Sequence, residues 1–203
     1  MAKEKNLIII FTRNPELGKV KTRLAKTIGG ESALNIYKFL LNHTEQIIKN
    51  IPSDKAVYYS EKIKEHDIWD NSIYQKYLQK GDDLGLRMLN AFENTFKKKY
   101  KKVIIVGSDL FDLQTKHIEK AITKLDTNDV VIGPAKDGGY YLLGMKKLHS
   151  QVFKNKKWGT STVFNQTIND LQNESLFLLD ELNDIDIYDD MKDNSTLKKL
   201  IIQ

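Results

Sequence analysis

Apolar and polar positions along the chain predict strands that alternate with helices. Short continuous apolar runs, such as residues 7–11, are typical of strands buried on both faces of a sheet. Apolar residues at helical spacing, as in residues 32–49, predict helices with one buried stripe. The predicted strands cover residues 7–11, 56–59, 73–78, 103–106, 130–132, 140–145 and 176–179, and the predicted helices cover residues 32–49, 84–96, 118–125, 163–171 and 195–201.

This alternation predicts an α/β fold with a mostly parallel central sheet and helices on both faces. We expect a single domain over residues 1–203, because the sequence has no repeat, no Pro/Gly-rich linker and no break in composition. Sheets of this kind bind ligands beyond the C-terminal ends of their strands, near the point where strand order reverses. Polar residues that follow the predicted strands are therefore the first candidates for function.

The first candidate cluster follows the first predicted strand and spans residues 13–24. It combines Gly18, which lets backbone approach a ligand closely, with four basic side chains, namely Arg13, Lys19, Lys21 and Arg23. Lysine supplies a point charge and arginine a two-pronged donor for phosphate oxygens. The alternative is a solvated basic loop.

The second cluster, Gly81, Asp83 and Arg87, lies at the start of the helix predicted over residues 84–96. Asp82 or Asp83 would cap this helix, with Gly81 in the preceding turn. Arg87 is one turn into the helix, which leaves it within reach of a ligand.

The third cluster is Ser108 and Asp109, directly after the strand predicted over residues 103–106. A carboxylate there is placed to hold Mg²⁺ or Mn²⁺, because hard cations bridge one or two carboxylates to substrate phosphates. Asp186, which alternates with Asp184 near the C-terminus, is the candidate second ligand. The alternative for residues 107–113 is a helix cap, with Asp112 favoured. The alternative for residues 184–190 is a solvated acidic loop or a helix cap.

The fourth cluster is Asp137, Gly138, Gly139 and Tyr140, between two predicted strands. It is either a tight turn or a surface on which the glycines leave space for a flat ligand and Asp137 accepts its hydroxyl groups. Trp158 is equally suited to core packing and to stacking on a ligand.

Composition narrows the function classes. The absence of cysteine excludes disulfides and a thiolate nucleophile or metal ligand, and no apolar run approaches the roughly 18–20 residues that span a membrane. We expect a cytoplasmic protein with no membrane or nucleic-acid partner. The net charge of +5 fits a lysine-rich surface better than an anionic macromolecular partner. A non-catalytic basic binding protein stays an alternative, although the aromatic residues mostly follow core-like spacing.

Taken in order, these motifs resemble the radical-SAM/selenodomain-associated transferase 1 family, glycosyltransferase-like proteins of the nucleotide-diphospho-sugar transferase (GT-A) superfamily. The motifs that carry the resemblance are Pro15-x-x-Gly18-x-x-Lys21-Thr22-Arg23-Leu24, Gln79-x-Gly81-x-Asp83-Leu84-Gly85-x-Arg87-Met88, Gly107-Ser108-Asp109, Gly133-Pro134-x-x-Asp137-Gly138-Gly139-Tyr140-Tyr141, Trp158 with Thr160, and Asp184-x-Asp186. The sequence departs from the family at Leu110-Phe111, where a small residue and proline are expected, and at Gly159, where serine is expected. Asp109 and Asp112 are three residues apart, so the D-x-D spacing of many glycosyltransferases is absent there.

The resemblance implies a Rossmann-like GT-A fold, a nucleotide near the first loop, a cation at Asp109 and an acceptor near residues 137–141 and Trp158. The predicted nucleotide- and phosphate-binding residues are Arg13, Gly18, Lys19, Lys21, Arg23, Gly81, Asp83, Arg87 and Ser108. The predicted acceptor-binding residues are Asp137, Gly138, Gly139, Tyr140 and Trp158, and the predicted metal ligands are Asp109 and Asp186.

The resemblance favours glycosyl transfer from a nucleotide sugar to a small-molecule acceptor, aided by Mg²⁺ or Mn²⁺. Lys21 and Arg23 would stabilise charge on the departing diphosphate, and Asp137 would act as base or orient the acceptor hydroxyl. The alternative is nucleotidyl transfer, in which a phosphorylated or carboxylated substrate attacks a nucleoside triphosphate and pyrophosphate leaves. The density of positive charge in the first loop suits a triphosphate at least as well as a diphosphate. The oligomeric state stays open.

Overall fold

A seven-stranded sheet with helices on both faces forms the protein, in a computed structural model that describes residues 5–202. The strands are β1 (Asn6–Thr12), β2 (Asp54–Tyr59), β3 (Tyr74–Leu78), β4 (Lys102–Val106), β5 (Val130–Pro134), β6 (Tyr140–Met145) and β7 (Leu176–Leu178). The α-helices are α1 (Thr22–Ile28), α2 (Gly30–Ile48), α3 (Leu84–Lys97), α4 (Thr115–Lys124), α5 (Val163–Asp170) and α6 (Ser195–Lys198). Two short 3-10 turns cover Ser150–Phe153 and Tyr188–Asp190.

The strand order is β3-β2-β1-β4-β6-β5-β7. All neighbouring strands run parallel except β6, which is antiparallel to both β4 and β5. After β1 the chain adds β2 and β3 on one side, and then returns to place β4 on the other side of β1. The strand order therefore reverses between β1 and β4, which is where sheets of this type form a ligand crevice.

Alternating side chains of the central strands divide the core between the two faces of the sheet. On one face, Ile8 and Ile10 of β1 belong to a buried cluster that also contains apolar residues of α2 and α4. On the other face, Leu7 and Ile9 join a cluster that contains Met88 of α3. Burying an apolar side chain of this kind stabilises the folded state by roughly 1.5–3 kcal/mol. The continuous apolar run of β1 therefore favours a position at the centre of the sheet, where both faces of the strand are covered.

The segment after β7 returns along the C-terminal edge of the sheet. A parallel bridge pairs Ala135 with Leu182, and an antiparallel bridge pairs Leu110 with Asp184. The backbone N–H of Ile185 also donates to the carbonyl oxygen of Asp109 over 3.2 Å. These bonds bring the acidic C-terminal segment beside the residues that follow β4.

The predicted fold class is confirmed, with two local differences. Helix α1 was not predicted, because seven residues with Leu24 as the only buried one show no clear helical stripe. Helix α4 is capped by Gln114 rather than by Asp112. The expectation of one domain over residues 1–203 stays a prediction, and its first four residues and last residue lie outside those described. None of the helices within residues 5–202 combines the length and apolar character needed to cross a membrane.

Candidate functional site

A cleft of about 700 Å³ opens at the C-terminal edge of the sheet, where strand order reverses between β1 and β4. We call it the switch-point cleft. Nine residues predicted from sequence line it: Arg13, Lys19, Lys21, Arg23, Asp83, Arg87, Ser108, Asp109 and Asp186. Residues far apart in sequence thus meet in one hollow, as expected for side chains that follow the strands of such a sheet.

Lys21 is the centre of the charged groups in this cleft. Its Nζ lies 2.9 Å from Oδ2 of Asp109 and 3.0 Å from Oδ1 of Asp186, and its side chain is only 4% exposed. Arg23 donates to the other carboxylate oxygen of Asp186. Two basic residues from the segment that follows β1 and two acidic residues from distant segments therefore form one connected ion-pair network.

The backbone of Lys21 is left-handed, with φ 47° and ψ 42°. This conformation is uncommon for residues other than glycine, and costs of the order of 1–3 kcal/mol. Lys21 is the N-cap residue of α1, so the strained turn comes directly before the helix that carries Arg23. Such strain persists where surrounding contacts determine the conformation, and the two ion pairs of Lys21 supply contacts of that kind.

Electrostatics keeps Lys21 and Asp109 ionised. Burial alone would lower the pKa of Lys21, but the charges of Asp109 and Asp186 raise it above its usual value. Burial alone would raise the pKa of Asp109, but attraction to Lys21 outweighs burial and lowers it. At neutral pH, Lys21 is therefore an ammonium and Asp109 a carboxylate.

Asp184 behaves differently from its neighbours. Burial, together with the nearby charges of Asp109 and Asp137, raises the pKa of Asp184 to about 8. Its Oδ1 is buried and has no hydrogen-bond partner among residues 5–202. Asp184 was not among the predicted site residues, although its alternation with Asp186 in the sequence was a signal for it. A carboxyl group that is mainly neutral at pH 7 thus lies close enough to Asp109 and Lys21 to interact with their charges.

The first loop is fixed by two residues that sequence analysis missed. The hydroxyl of Tyr37, from α2, accepts from the backbone N–H of Arg13 over 2.9 Å and lies 3.2 Å from Thr12 Oγ1. Asn14 is buried and donates to the carbonyl oxygen of Lys62, while its Oδ1 accepts from the N–H groups of Glu61 and Lys62. These bonds attach the loop after β1 to α2 and to the loop after β2.

Lys19 lines the cleft, but its ammonium is already paired. It lies 3.0 Å from carboxylate oxygens of both Glu16 and Glu61. Hydrogen bonds from Lys62 and Lys19 lower the pKa of Glu16 to about 2. Gly18 has φ 76° and does not line the cleft. The structure therefore places Lys19 and Gly18 in the support of the loop, whereas Lys21 and Arg23 face the carboxylates.

The residues of the second cluster organise the start of α3. Asp83 caps the helix, because its side chain accepts from the N–H of Leu86 over 2.7 Å. The Nε of Arg87 donates to the carbonyl oxygen of Gly81 over 2.9 Å. Asp83 and Arg87 both line the switch-point cleft. Gln79, which sequence analysis did not assign, donates from Nε2 to backbone carbonyl oxygens of β1 and β2 and also lines the cleft.

The predicted acceptor-binding residues are not among those that line the cleft. Asp137 accepts from the N–H of Gly139 over 2.8 Å, which is the tight turn considered from sequence. Gly138 has φ 85°, and a Cβ there would lie 2.3 Å from the backbone oxygen of Ser161. The hydroxyl of Tyr140 is buried without a hydrogen-bond partner in the described part of the chain. Asp137 approaches the site closely enough to affect the pKa of Asp184.

Trp158 packs against the first turn of α3. A Cβ added to Gly85 would lie 2.4 Å from the indole Nε1, so the ring occupies the space that a side chain at Gly85 would need. Asp83 and Leu84 of the same turn line the switch-point cleft. Trp158 is thus in contact with an element of the cleft wall but is not among the residues that line the cleft.

The donor set fits a hard divalent cation. Carboxylate oxygens of Asp109 and Asp186 converge to within 3.0 Å of one point, the Lys21 nitrogen. Among residues 5–202, no group of three or more His, Cys, Asp or Glu side chains is arranged to hold a metal ion. Mg²⁺ needs only one or two protein carboxylates where substrate phosphates and water complete its six ligands. The residues present therefore suit a cation that arrives with phosphate.

The chain is similar to a described protein family and to a characterised enzyme. A family model described as "Uncharacterized protein conserved in bacteria (DUF2064)" matches residues 44–160, more than half of the chain. The 2-phospho-L-lactate guanylyltransferase of Methanocaldococcus jannaschii is 33% identical over 132 residues, which are 64% of this chain and 56% of that protein. The match therefore spans only a little over half the length of this relative.

Solved structures show the same fold. A protein of Desulfovibrio desulfuricans G20, described as a candidate nucleotide-diphospho-sugar transferase, is 28% identical with a TM-score of 0.88, covering 98% of this chain and 94% of that one. The 4-diphosphocytidyl-2C-methyl-D-erythritol synthase of Anaerococcus prevotii DSM 20548 is 13% identical with a TM-score of 0.62, covering 96% of each chain. At that lower identity the likeness concerns the fold alone. The architecture is thus that of the nucleotide-diphospho-sugar transferases.

Proposed function

The chain belongs to the DUF2064 family, and we propose that it is a nucleotidyltransferase that couples a nucleoside triphosphate to a small phosphorylated or carboxylated substrate. The observation that carries this proposal is the meeting of Lys21, Arg23, Asp109 and Asp186 in the switch-point cleft. The similarity to a guanylyltransferase supports the same reaction class. The radical-SAM association implied by the sequence resemblance, and a cytoplasmic location, stay predictions.

In the proposed reaction, an oxygen of the acceptor's phosphate or carboxylate attacks the α-phosphorus of the nucleotide. The bond from that phosphorus to the oxygen that bridges it to the β-phosphate breaks, and pyrophosphate leaves with the electron pair. Lys21 and Arg23 stabilise the negative charge that develops on the leaving group, and Arg13 and Arg87 add positive charge along the cleft. Because the attacking oxygen is already anionic, the reaction needs no strong general base.

Asp109 and Asp186 would hold a Mg²⁺ or Mn²⁺ ion, which supplies further positive charge to the pyrophosphate when it is bound. The proposed acceptor-binding residues are Asp137, Gly138, Gly139, Tyr140 and Trp158. Among them, Asp137, held by its bond from Gly139, would accept hydrogen bonds from hydroxyl groups of the acceptor.

Glycosyl transfer is the second candidate, favoured by the likeness to the Desulfovibrio desulfuricans protein described as a candidate nucleotide-diphospho-sugar transferase. An acceptor hydroxyl would then attack the sugar carbon and lose its proton to Asp137, while the bond from that carbon to the β-phosphate oxygen breaks. The same cations would stabilise the departing nucleoside diphosphate. The two reactions differ in their products, since only nucleotidyl transfer releases pyrophosphate.

The deciding experiment measures pyrophosphate release from each nucleoside triphosphate, with Mg²⁺ or Mn²⁺, across small phosphorylated and carboxylated substrates. Thermal stabilisation by the triphosphates and by UDP-, GDP- and dTDP-sugars is measured in parallel. We expect pyrophosphate from at least one pair. Stabilisation by nucleotide sugars, with no pyrophosphate from any pair, would instead establish glycosyl transfer as the better proposal.

A matched pair of variants tests the role of the cleft. Arg23→Gln removes a cation that contacts Asp186, and we expect it to lower pyrophosphate release at least ~100-fold, as loss of one transition-state donor does. Lys26→Gln removes an equal charge from the exposed side of the same helix and should leave the rate unchanged. Equal rates for the two variants would remove Arg23 from the mechanism.

A further inference from the structure

The Lys21 ammonium occupies the point on which the two proposed metal ligands converge. Its nitrogen lies 2.9 Å from Asp109 and 3.0 Å from Asp186, and the side chain is almost fully buried. With Arg23 also paired to Asp186, two positive charges face two carboxylates. The site therefore holds a complete set of counter-ions of its own.

We propose that Lys21 is an internal counter-ion that excludes the divalent cation from Asp109 and Asp186 until nucleotide phosphates draw its ammonium away. This inference rests on the proposed function, since it concerns the nucleotide and cation of the same site. It assigns Lys21 a second role, in addition to the proposed stabilisation of the leaving pyrophosphate. Under this arrangement the empty protein binds the cation weakly, and the nucleotide-bound protein binds it strongly.

The distances from the Lys21 nitrogen to the two carboxylates imply that the ammonium and the cation compete for the same position. Mg²⁺ binds oxygen at about 2.0–2.1 Å, so a cation bridging both carboxylates would lie in the space now taken by the Lys21 nitrogen. Leaving the ammonium there would place it within a few ångströms of a doubly charged ion, and like charges that close repel strongly at a buried site. One of the two must therefore leave before the other can bind.

Nucleotide phosphates provide the Lys21 ammonium with an alternative anionic partner. Arg13, Lys21, Arg23 and Arg87 line one cleft, so a polyphosphate held by the arginines brings anionic oxygens beside Lys21. The four-carbon stem of lysine lets the ammonium shift by a few ångströms without backbone movement. The exchange leaves Asp109 and Asp186 free at the moment when phosphate oxygens become available as further ligands.

This exchange makes cation and nucleotide binding cooperative. Linkage requires that each ligand raise the affinity for the other by the same factor, and such factors are commonly about 5–150. The factor should fall when the charge at Lys21 is removed, because the cation then competes only with the Arg23 guanidinium, which pairs with Asp186 and not with Asp109.

The experiment measures Mn²⁺ binding to the full chain by electron paramagnetic resonance, without nucleotide. Lys21→Gln keeps a hydrogen-bond donor but removes the charge, and we expect it to bind Mn²⁺ at least ~10-fold more tightly than the wild type. Lys21→Arg, which keeps the charge, should stay as weak as the wild type. Lys19→Gln removes an equal charge from the same loop and should also leave Mn²⁺ affinity unchanged, because Lys19 pairs with Glu16 and Glu61 instead.

A second measurement protects the test against a variant that is merely unstable. Mn²⁺ should raise the thermal unfolding midpoint of Lys21→Gln but not that of the wild type. The double variant Lys21→Gln/Asp109→Asn should lose both the shift and the tight binding. The proposal would be overturned if the wild type bound Mn²⁺ as tightly as Lys21→Gln does.

The outcomes also separate this proposal from the proposed function. If Mn²⁺ fails to bind any of these proteins, with or without nucleotide, the counter-ion role is wrong. Nucleotidyl transfer is judged separately, by pyrophosphate release. Pyrophosphate release without Mn²⁺ binding at Asp109 would retain the reaction and discard the exchange.

Discussion

At the scale of single residues, Asp184 lies in an environment that favours its neutral form. Burial and the charges of Asp109 and Asp137 raise its pKa to about 8, and one buried carboxyl oxygen lacks a partner within residues 5–202. In the unfolded chain the same group ionises near the usual value for aspartate, about 3.9. The folded state therefore binds a proton that the unfolded state releases between these two pH values.

The first prediction is that Asp184→Asn makes the protein more stable relative to the wild type as pH rises. The raised pKa contributes stability that is complete below about pH 4 and is lost as pH rises through about 8. The gap in unfolding free energy should therefore widen across this window, by about 1.4 kcal/mol for each pKa unit of the shift. Urea unfolding in EDTA-containing buffer at several pH values measures it.

Asp189→Asn is the matched control, because Asp189 is exposed and lies in the same acidic segment. Its difference from the wild type should stay nearly constant with pH. Parallel stability curves for wild type and Asp184→Asn would show that Asp184 ionises normally in the folded protein.

At the scale of elements, the start of α3 both lines the switch-point cleft and packs against Trp158. Asp83 and Leu84 line the cleft, and the indole of Trp158 fills the space beside Gly85. Glycine in a helix normally costs roughly 0.5–1 kcal/mol relative to alanine. The close approach of the indole is what makes glycine the fitting residue at this position.

The second prediction is that Gly85→Ala destabilises the protein, against the usual helix preference. The new Cβ would lie 2.4 Å from Trp158 Nε1, so the ring or the helix must shift, at a typical cost of about 1–3 kcal/mol. The same shift should weaken nucleotide binding, since this turn forms part of the cleft. Thermal unfolding and nucleotide titration followed by Trp158 fluorescence measure both effects, with Trp69→Phe as the background that leaves one tryptophan.

The double variant Gly85→Ala/Trp158→Leu provides the control, because the smaller side chain leaves space for the new methyl group. It should be more stable than the sum of the two single changes predicts. Additive effects, or a Gly85→Ala protein as stable as the wild type, would contradict the close packing of Trp158 on α3.

Sequence patterns predicted the strands and long helices well, because each has enough residues to show a period. Helix α1 was missed, since it buries only Leu24 and ends at Gly29 after seven residues. The antiparallel direction of β6 was also not predicted, because the apolar pattern of a buried strand is the same for parallel and antiparallel pairing. Direction depends on the length of the connection from β5, which is a tight turn around Asp137 and Gly138.

The candidate site was predictable to the extent that fold topology determines it. Residues that follow β1 and β4 must meet at the switch point, so Lys21 and Asp109 could be placed together from sequence. The partner of each charge could not be predicted. Lys19 and Lys21 are two residues apart and alike in type, yet one pairs with glutamates of the loop and the other with aspartates of the cleft. The left-handed backbone at Lys21 and the ordering of the loop by Asn14 separate them, and neither has a local sequence signal.

At the scale of the whole molecule, a small apolar cluster joins helices α1 and α2 to the C-terminal segment that carries Asp186. The cluster buries residues of α2 together with Leu24 of α1, Leu197 of α6 and Ile185, which precedes α6. Ile185 lies between Asp184 and Asp186, so the packing that buries it also delivers Asp186 to Lys21 and Arg23. The charged site therefore depends on apolar contacts between segments that are distant in sequence.

The last prediction is that Ile185→Ala weakens both stability and nucleotide binding. Removing a buried isoleucine side chain costs about 2–5 kcal/mol, including the cavity left behind, and a looser segment holds Asp186 less firmly against Lys21. Ile132→Ala, buried in the sheet away from the cleft, should lose similar stability while the folded protein keeps its nucleotide affinity. Urea unfolding and titration at a temperature where both variants remain folded would separate the two effects. Equal affinities for the two variants would mean that Asp186 reaches its partners without the cluster, and that the charged network alone positions the C-terminal segment.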